Sequence, residues 1–564
     1  MSEEQQTGDG AMTVIGVSFG NANSSISFTG SDGNVDIIAN QDGDRSIPST
    51  LAYVKEDEYH GLQAKAQLIR NSKNTVTNFR DYIGKQFSEI DPTYSHRSAH
   101  PVENAGKVGY QLDVLPEEGA EPKFFSVEEV AQIHLRRLRE SAEDFLGKPV
   151  TGAVLTVPTD FTQKQREELK QIATEAGIPV MQIVSEPVAA LLAYDSVTYG
   201  AFPKDRIVVV ADFGYTRSDA AVIAVRGGMY TVLATAHNYE LGGASLDETL
   251  ADHFAKEFEK KNGIDPRKES ARSIAKLIAE CEVTRKTLSN SNSSTISIES
   301  LAGGFDFHST INRLRFEMLA RKQFDNAVSL VEDVVKKAGL DVLDVDEVVL
   351  VGGSAQTPKI LSRIEAIFPE TTKVASPSGK ALNPAELIAR GAAVQASLIA
   401  GFEQSDIDES LQPLVANAPH LAKSVGVVTA DGSFVPVLES YTAVPIRHSA
   451  VFEVPAEGGD VLVGIYEGER EIVTRKVESI KEDKDEEDDL DDEEEFSDEE
   501  DEETREKVLK PATKLAEAVV KGTKAGGKVE VVINITADLK VSVAVREVGS
   551  GAVRGELPAA EVQK

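Results

Sequence analysis

Cysteine is almost absent: the chain of 564 residues carries one, Cys281. No disulfide can form within it, which fits a reducing compartment. Long apolar runs are missing too. None reaches the roughly 18 residues that suggest a membrane span, so no transmembrane segment is expected. The first residues, Met-Ser-Glu-Glu-Gln-Gln, have neither the basic nor the apolar region of a secretory leader. These absences together predict a cytoplasmic protein. The nine histidines form no metal-ligand spacing, and His237, His308 and His420 read as isolated residues. Basic residues are in deficit: 59 Lys and Arg face 93 Asp and Glu, for a net charge of −34. A surface of that sign repels nucleic-acid phosphates, so no direct DNA binding is expected.

What is present is globular. Hydrophobic residues make up 41% of the chain, enough for sizeable cores. At about 100–200 residues per domain, the length predicts three or four domain-sized units. The acidity is uneven: residues 481–503 hold eighteen Asp and Glu against two Lys, nearly half of the whole excess. Such a run reads as a solvated disordered insertion, or else as a docking strip for a basic partner.

The organisation changes along the chain. Residues 1–11 read as a flexible tail. From 12 to 403 short β-rich runs such as Val14–Phe19, Gly152–Val157, Ile207–Ala211 and Glu347–Val351 alternate with amphipathic stretches. Helices are predicted over Thr162–Ala176, Ala244–Lys261, Ser270–Leu288 and Ile311–Ala338, with Gly177 and Gly339 as terminating glycines. The alternation predicts an α/β domain. Residues 404–420 read as a linker. From 421 to 564 β-branched runs and turns predict an all-β sandwich, interrupted by the acidic run and by a short helix at Pro511–Lys521.

One internal repeat is visible. Val14-Ile15-Gly16-Val17-Ser18-Phe19-Gly20-Asn21 runs into Ser24-Ser25-Ile26-Ser27-Phe28, and 194 residues later Val208-Val209-Val210-Ala211-Asp212-Phe213-Gly214-Tyr215 runs into Asp219-Ala220-Ala221-Val222-Ile223. Each copy is an apolar strand, a glycine-centred turn and a returning strand. A glycine turn lets backbone N–H groups approach an anion without a Cβ in the way. A carboxylate at a strand end can hold hydrated magnesium. Either hairpin alone is commonplace; two matched copies, each opening an α/β half, point to a triphosphate held between two lobes. A third strand, Val348-Val349-Leu350-Val351, ends in Gly352-Gly353-Ser354 and reads as an adenosine loop.

With these segments the chain resembles the heat-shock 70 kDa chaperone family over about residues 12–403. Val154-Leu155-Thr156-Val157-Pro158, the segment Gly177 to Tyr194, Leu241-Gly242-Gly243, Glu282 to Ser289 and the stretch Asn383 to Ala396 match in order and spacing. The resemblance implies an actin-like two-lobed ATPase domain followed by a substrate-binding-type β domain, with ATP and Mg2+ as cofactors. It assigns nucleotide contacts to Gly20, Asn21, Ala22 and Asn23, to Gly214, Tyr215 and Thr216, and to Gly242 and Gly243. On the adenosine side it assigns them to Glu282, Arg285, Lys286, Ser289, Gly352, Gly353, Ser354 and Gln356. Asp212, Glu186 and Asp219 are the expected magnesium residues, acting through water.

Several positions depart from the family pattern. Ser18 stands where the first hairpin carries an acid, and Asn21 and Ala22 where it carries two threonines. Arg80 replaces the catalytic lysine. Tyr215 and Arg217 interrupt the second hairpin's glycine-threonine run, and Gln356 replaces the adenine-stacking arginine. Losing one positioned electrostatic group commonly costs on the order of 10²–10³ in rate, so several together predict ATP binding with negligible hydrolysis. A leucine-rich interdomain linker and room for a helical lid are also missing.

Within the family these departures resemble the atypical members that work in the ribosome-associated complex. That resemblance implies a stable heterodimer with a J-domain protein of the zuotin kind, contact with the ribosome through that partner, and support of a second, active ribosome-bound chaperone. An active ATP-dependent peptide-binding chaperone and an actin-class sugar kinase are the alternatives.

Overall fold

The computed structural model describes residues 12–91, 97–114, 121–200, 203–375, 382–410, 419–454, 456–476, 503–549 and 556–561. The chain forms two compact units, 1–411 and 412–564. The expected tail 1–11 lies outside the described residues, as does the acidic run up to residue 502.

The first unit is built on two sheets of the same topology. In one, the strands follow the order Val180–Ser185, Gly152–Val157, Val14–Phe19, Asn23–Thr29, Val35–Ile38. In the other, the order is Lys373–Ala375, Glu347–Val351, Arg206–Phe213, Ser218–Arg226, Met229–Asn238. Each has a parallel side and an antiparallel meander sharing a central strand. The sequence repeat survives in the register: Ser18 pairs with Ser25 in the first hairpin as Asp212 pairs with Asp219 in the second. The central strands are buried along nearly their whole length, as expected for strands covered on both faces. This is the α/β domain that the alternation predicts, in the two-lobed actin-like form that the resemblance implies.

The sheets are joined at a crossing of two helices, Glu186–Thr198 and Leu387–Ile399. Both present small residues, among them Ala189, Ala190, Ala193, Ala392 and Ala396, all buried. Small side chains let the backbones approach closely. A Cβ on Gly391 would overlap the Ala189 carbonyl, and one on Gly16 would overlap the backbone of Ala392 and Ala393. The first hairpin therefore rests directly on the second helix.

Gly177 and Gly339 adopt φ of 82° and 71°, as helix-terminating glycines should. Two element predictions fail in this unit. The stretch Ile311–Ala338 is not one helix. Ile311 lies in the strand Phe305–Asn312, the Asn312 side chain accepts from the Arg315 N–H, and helices Arg313–Leu319 and Arg321–Lys337 meet at a break on Ala320. Phe316 and Phe324 pack edge to face across it, 6.2 Å between ring centroids. Of the expected linker, residues 404–410 form a helix whose Ile407 packs with Val154, Met181 and Ile399, so they belong to the first unit. Residues 411–418 lie outside the described residues.

The second unit is a sandwich of two four-stranded sheets over one core that includes Val425, Ile465, Val520, Val531 and Val543. Pro511–Lys521 is not a helix but part of the strand Glu503–Thr523, paired with Gly459–Lys476. Ala516, Ala518 and Val520 are buried while Glu517 and Val519 are exposed, a period of two that overrides the helix-forming composition. Pro511 sits opposite Gly468, where the register shifts, one of the few places a strand tolerates proline.

The helix crossing is testable. Gly391→Ala overpacks it and is expected to cost about 1–3 kcal/mol. Denaturant unfolding measures this, and a parent-like midpoint would mean the helices part without cost.

Candidate functional site

The two hairpin turns approach each other from opposite lobes. The first turn needs glycine at Gly20, because a Cβ there would overlap the Asn23 carbonyl. Its Gly20 and Ala22 carbonyls accept from the hydroxyl (2.7 Å) and N–H (2.9 Å) of Ser49. The buried Asn21 amide then donates to the Thr216 hydroxyl at 3.1 Å, tying one turn to the other.

The second turn is gripped from behind. The Gly214 carbonyl accepts from the Gly243 N–H at 3.0 Å and the Ser354 hydroxyl at 2.8 Å, and the Tyr215 carbonyl from the Ala244 N–H at 2.9 Å. Gly243 and Ala244 open the helix Gly243–Asn262, and a Cβ on Gly242 would overlap the Tyr215 carbonyl. Gly352, at φ 86°, lies against the Asp212 carboxyl and the Phe213 carbonyl, which leave no room for a Cβ. The structure thus gathers residues 20–23, 214–216, 242–243 and 352–354 around one place. Gly353 has nothing within 4 Å of its would-be Cβ and faces open space.

The adenosine-side residues on helix Ala271–Asn290 point in different directions. Glu282 takes Lys65 and Lys286, each at 2.7 Å. Burial opposes ionisation of Glu282, but the two lysines bring it down to about 2. Arg285 is buried against Asp247, Nε to Oδ1 2.6 Å. Ser289 donates to the Arg285 carbonyl of its own helix, and Gln356 to Asn383. Ala22, Asn23, Tyr215, Glu282 and Lys286 line a cavity of about 380 Å³, floored by Ala66, Ile69 and Ile278. Ser289, Gly353 and Gln356 do not line it.

At the base of the cleft lies a knot of charge. Arg80, on the short turn Arg80–Tyr82, is 4% exposed. Its guanidinium reaches the Glu186 carboxylate at 2.8 Å, Asp81 at 2.8 Å and the Phe19 carbonyl at 3.1 Å. Arg217 pairs with Asp219 and, at 3.0 Å, with Asp160. His237 Nδ1 stands 2.6 Å from Asp219, and the Tyr239 hydroxyl donates to Asp160. Burial pushes Glu186 up to about 7 against the pull of Arg80, and raises Asp212 well above its usual range, reinforced by Glu186 and Asp219. Burial also raises Asp160, but Arg217 and the Tyr239 hydrogen bond outweigh it and hold that group near 2.

This knot does not fit magnesium held through water by Asp212, Glu186 and Asp219. The space among them is about 10 Å³, room for about one water, whereas bound magnesium keeps several. Glu186 and Asp219 already have guanidinium partners. Asp160, Asp219 and His237 bring ligand atoms within 4.8 Å of one another, but Arg217 sits among them. His237 is therefore not the isolated residue its sequence spacing implied. Lys65, Asp160, Asp247, His237 and Tyr239 escaped the sequence reading because none stands in a motif.

A sequence profile of the Hsp70 protein family matches residues 14–484. The chain belongs to the Hsp70 family. It is similar to a Saccharomyces cerevisiae protein named ribosome-associated complex subunit SSZ1, with 47% identity over 96% of this chain and 99% of the relative. A Schizosaccharomyces pombe heat shock protein 70 homologue is 44% identical over 95% of this chain and 93% of its own length. Dictyostelium discoideum heat shock cognate 70 kDa protein 3 is 34% identical over 81% of this chain and 71% of its own. Among the described residues no helix of this Hsp70 is long and apolar enough to cross a membrane.

A buried relay supports the first Hsp70 hairpin. His60 Nε2 meets His134 Nδ1 at 2.7 Å, and His134 Nε2 meets the Ser24 hydroxyl at 2.9 Å. Ser24 then meets Ser49, whose hydroxyl also lies within reach of the Gly20 carbonyl. Burial lowers His60 to about 4 and drives His134 well below its ordinary 6.5. The unfolded chain therefore binds protons that the folded one refuses. This part of the stability is complete above pH 6.5 and declines as pH falls toward 4. Denaturation series at pH 7.5, 6 and 5 measure it, and His134→Gln should flatten the slope.

Proposed function

We propose that this Hsp70-family chain binds ATP between its two hairpins and does not hydrolyse it, acting as the co-chaperone subunit of a ribosome-bound complex. The observation that carries the reading is the base of the cleft, where Arg80 and Arg217 are fully engaged by carboxylates and Ser18 offers no acid. Phosphoryl transfer needs an oriented water and groups that gain strength as charge builds in the transition state. A guanidinium tied to Glu186 and Asp81 is not free to move onto a developing charge, and it lacks the compact reach of an ammonium. Beside the turns, the cavity of about 380 Å³ bordered by Ala22, Asn23, Tyr215 and Ala244 is of a size that suits a nucleotide.

On this reading the chain exerts its effect through partners. The Saccharomyces relative is named as a subunit of the ribosome-associated complex. By similarity the stable partner is a J-domain protein of the zuotin kind. The ribosome is reached through it, and a second, active ribosome-bound Hsp70 does the hydrolytic work on nascent chains in the cytoplasm.

Calorimetry with ATP should give saturable binding, while single-turnover assays with the J-domain partner present should show no stimulated cleavage. Turnover at ordinary chaperone rates would overturn the reading. Tagged chain drawn from cytosol should bring down a J-domain protein and sediment with ribosomes.

A further inference from the structure

We propose that nucleotide binding by this chain does not require magnesium: two fixed guanidinium groups do the charge compensation at the base of the cleft that a divalent cation would otherwise do. The inference rests on the ATP-binding reading above and adds the chemical form of the ligand, a metal-free nucleoside triphosphate.

A divalent cation at a triphosphate site has two tasks. It compensates the protein carboxylates that face the phosphates, and it draws those carboxylates and the phosphate oxygens together. Here the first task is done by the chain itself. Arg80 compensates Glu186 and Asp81, and Arg217 compensates Asp219 and Asp160. Both arginines are almost wholly buried, at 4% and 6% exposed. A guanidinium cannot lose its proton, so this compensation is permanent. For a cation to take Glu186 or Asp219, one of these buried pairs must break, which is strongly unfavourable.

The two turns are also joined without an ion. The Asn21 amide and the Thr216 hydroxyl join the two turns at 3.1 Å. On the first hairpin Ser18 lies between Ser25 and Thr156, so that position and both its cross-strand neighbours carry hydroxyls where a cation would need a carboxylate. The remaining space beside Asp212 and Glu186 admits about one water. Charge, linkage and volume agree.

The test uses the full chain and two titrations by calorimetry. ATP is titrated in excess EDTA and again in excess magnesium; the two affinities should differ by less than about tenfold, or ~1.4 kcal/mol. Binding with magnesium that is lost in EDTA overturns the inference and leaves the ATP reading standing. Absence of binding in both overturns the ATP reading and the inference with it. Magnesium chloride alone, titrated into nucleotide-free protein, should give no saturable heat, and a submillimolar site removed by Asp212→Asn would equally overturn it. Arg217→Ala, checked for native circular dichroism, uncovers Asp160 and Asp219 and should make ATP binding tighter with magnesium than in EDTA.

Discussion

Two guanidinium groups hold the base of the cleft together, and much of the structure around them depends on their staying there. Glu186 and Asp219 lie close enough to raise the proton affinity of Asp212, and Asp219 that of Glu186, in surroundings largely withdrawn from water. Carboxylates so placed are costly unless paired. Arg80 ties the first hairpin, through the Phe19 carbonyl, to the helix that begins at Glu186. Arg217 ties the second hairpin to Asp160, just beyond the parallel strand that ends at Val157. Each arginine therefore links segments that the backbone leaves separate, and the geometry of both turns follows.

The duplicated lobes show how chemistry and architecture part company. Both sheets have the same strand order and the same hairpin register, so Ser18 and Ser25 occupy the places of Asp212 and Asp219. One copy has hydroxyls where the other has carboxyls. The fold is indifferent to that exchange because its constraints lie elsewhere, in Gly16, Gly391 and the alanines of the helix crossing. A lobe can lose its acid without losing its shape.

Much of this was legible in the sequence. The repeat at a fixed offset announced two equivalent hairpins, since register preserves sequence spacing within a paired unit. The glycines at 20, 214, 242 and 352 each meet a backbone or carboxyl group that excludes a Cβ, which is why glycine marks these turns in the sequence. What could not be read was pairing at long range. Arg80 and Glu186 are 106 residues apart, and nothing local says that a substituted lysine position will turn toward a retained acid. The same limit misled the reading of Pro511–Lys521. Its alanines, lysines and glutamate favour a helix when taken alone, but pairing with Gly459–Lys476 imposes a strand. Nor could the surroundings of the expected magnesium residues be read: the acids are where the family pattern puts them, but Glu186 and Asp219 have arginine partners.

The contrast between the base of the cleft and its mouth bears on how such a site can work. The Asn21–Thr216 bond is a neutral pair of the kind worth about 0.5–1.5 kcal/mol. The Lys65–Glu282 bridge joins a partly exposed Lys65 to a buried Glu282 that Lys286 also holds. The neutral bond between the turns can open at little cost, while Lys65 and Glu282 border the cavity. The arginine pairs at the base are buried and resist rearrangement. On the proposed reading, a weak latch between the turns over a fixed floor suits a site that takes up and releases a nucleotide without following the change in phosphate charge that drives a hydrolytic cycle.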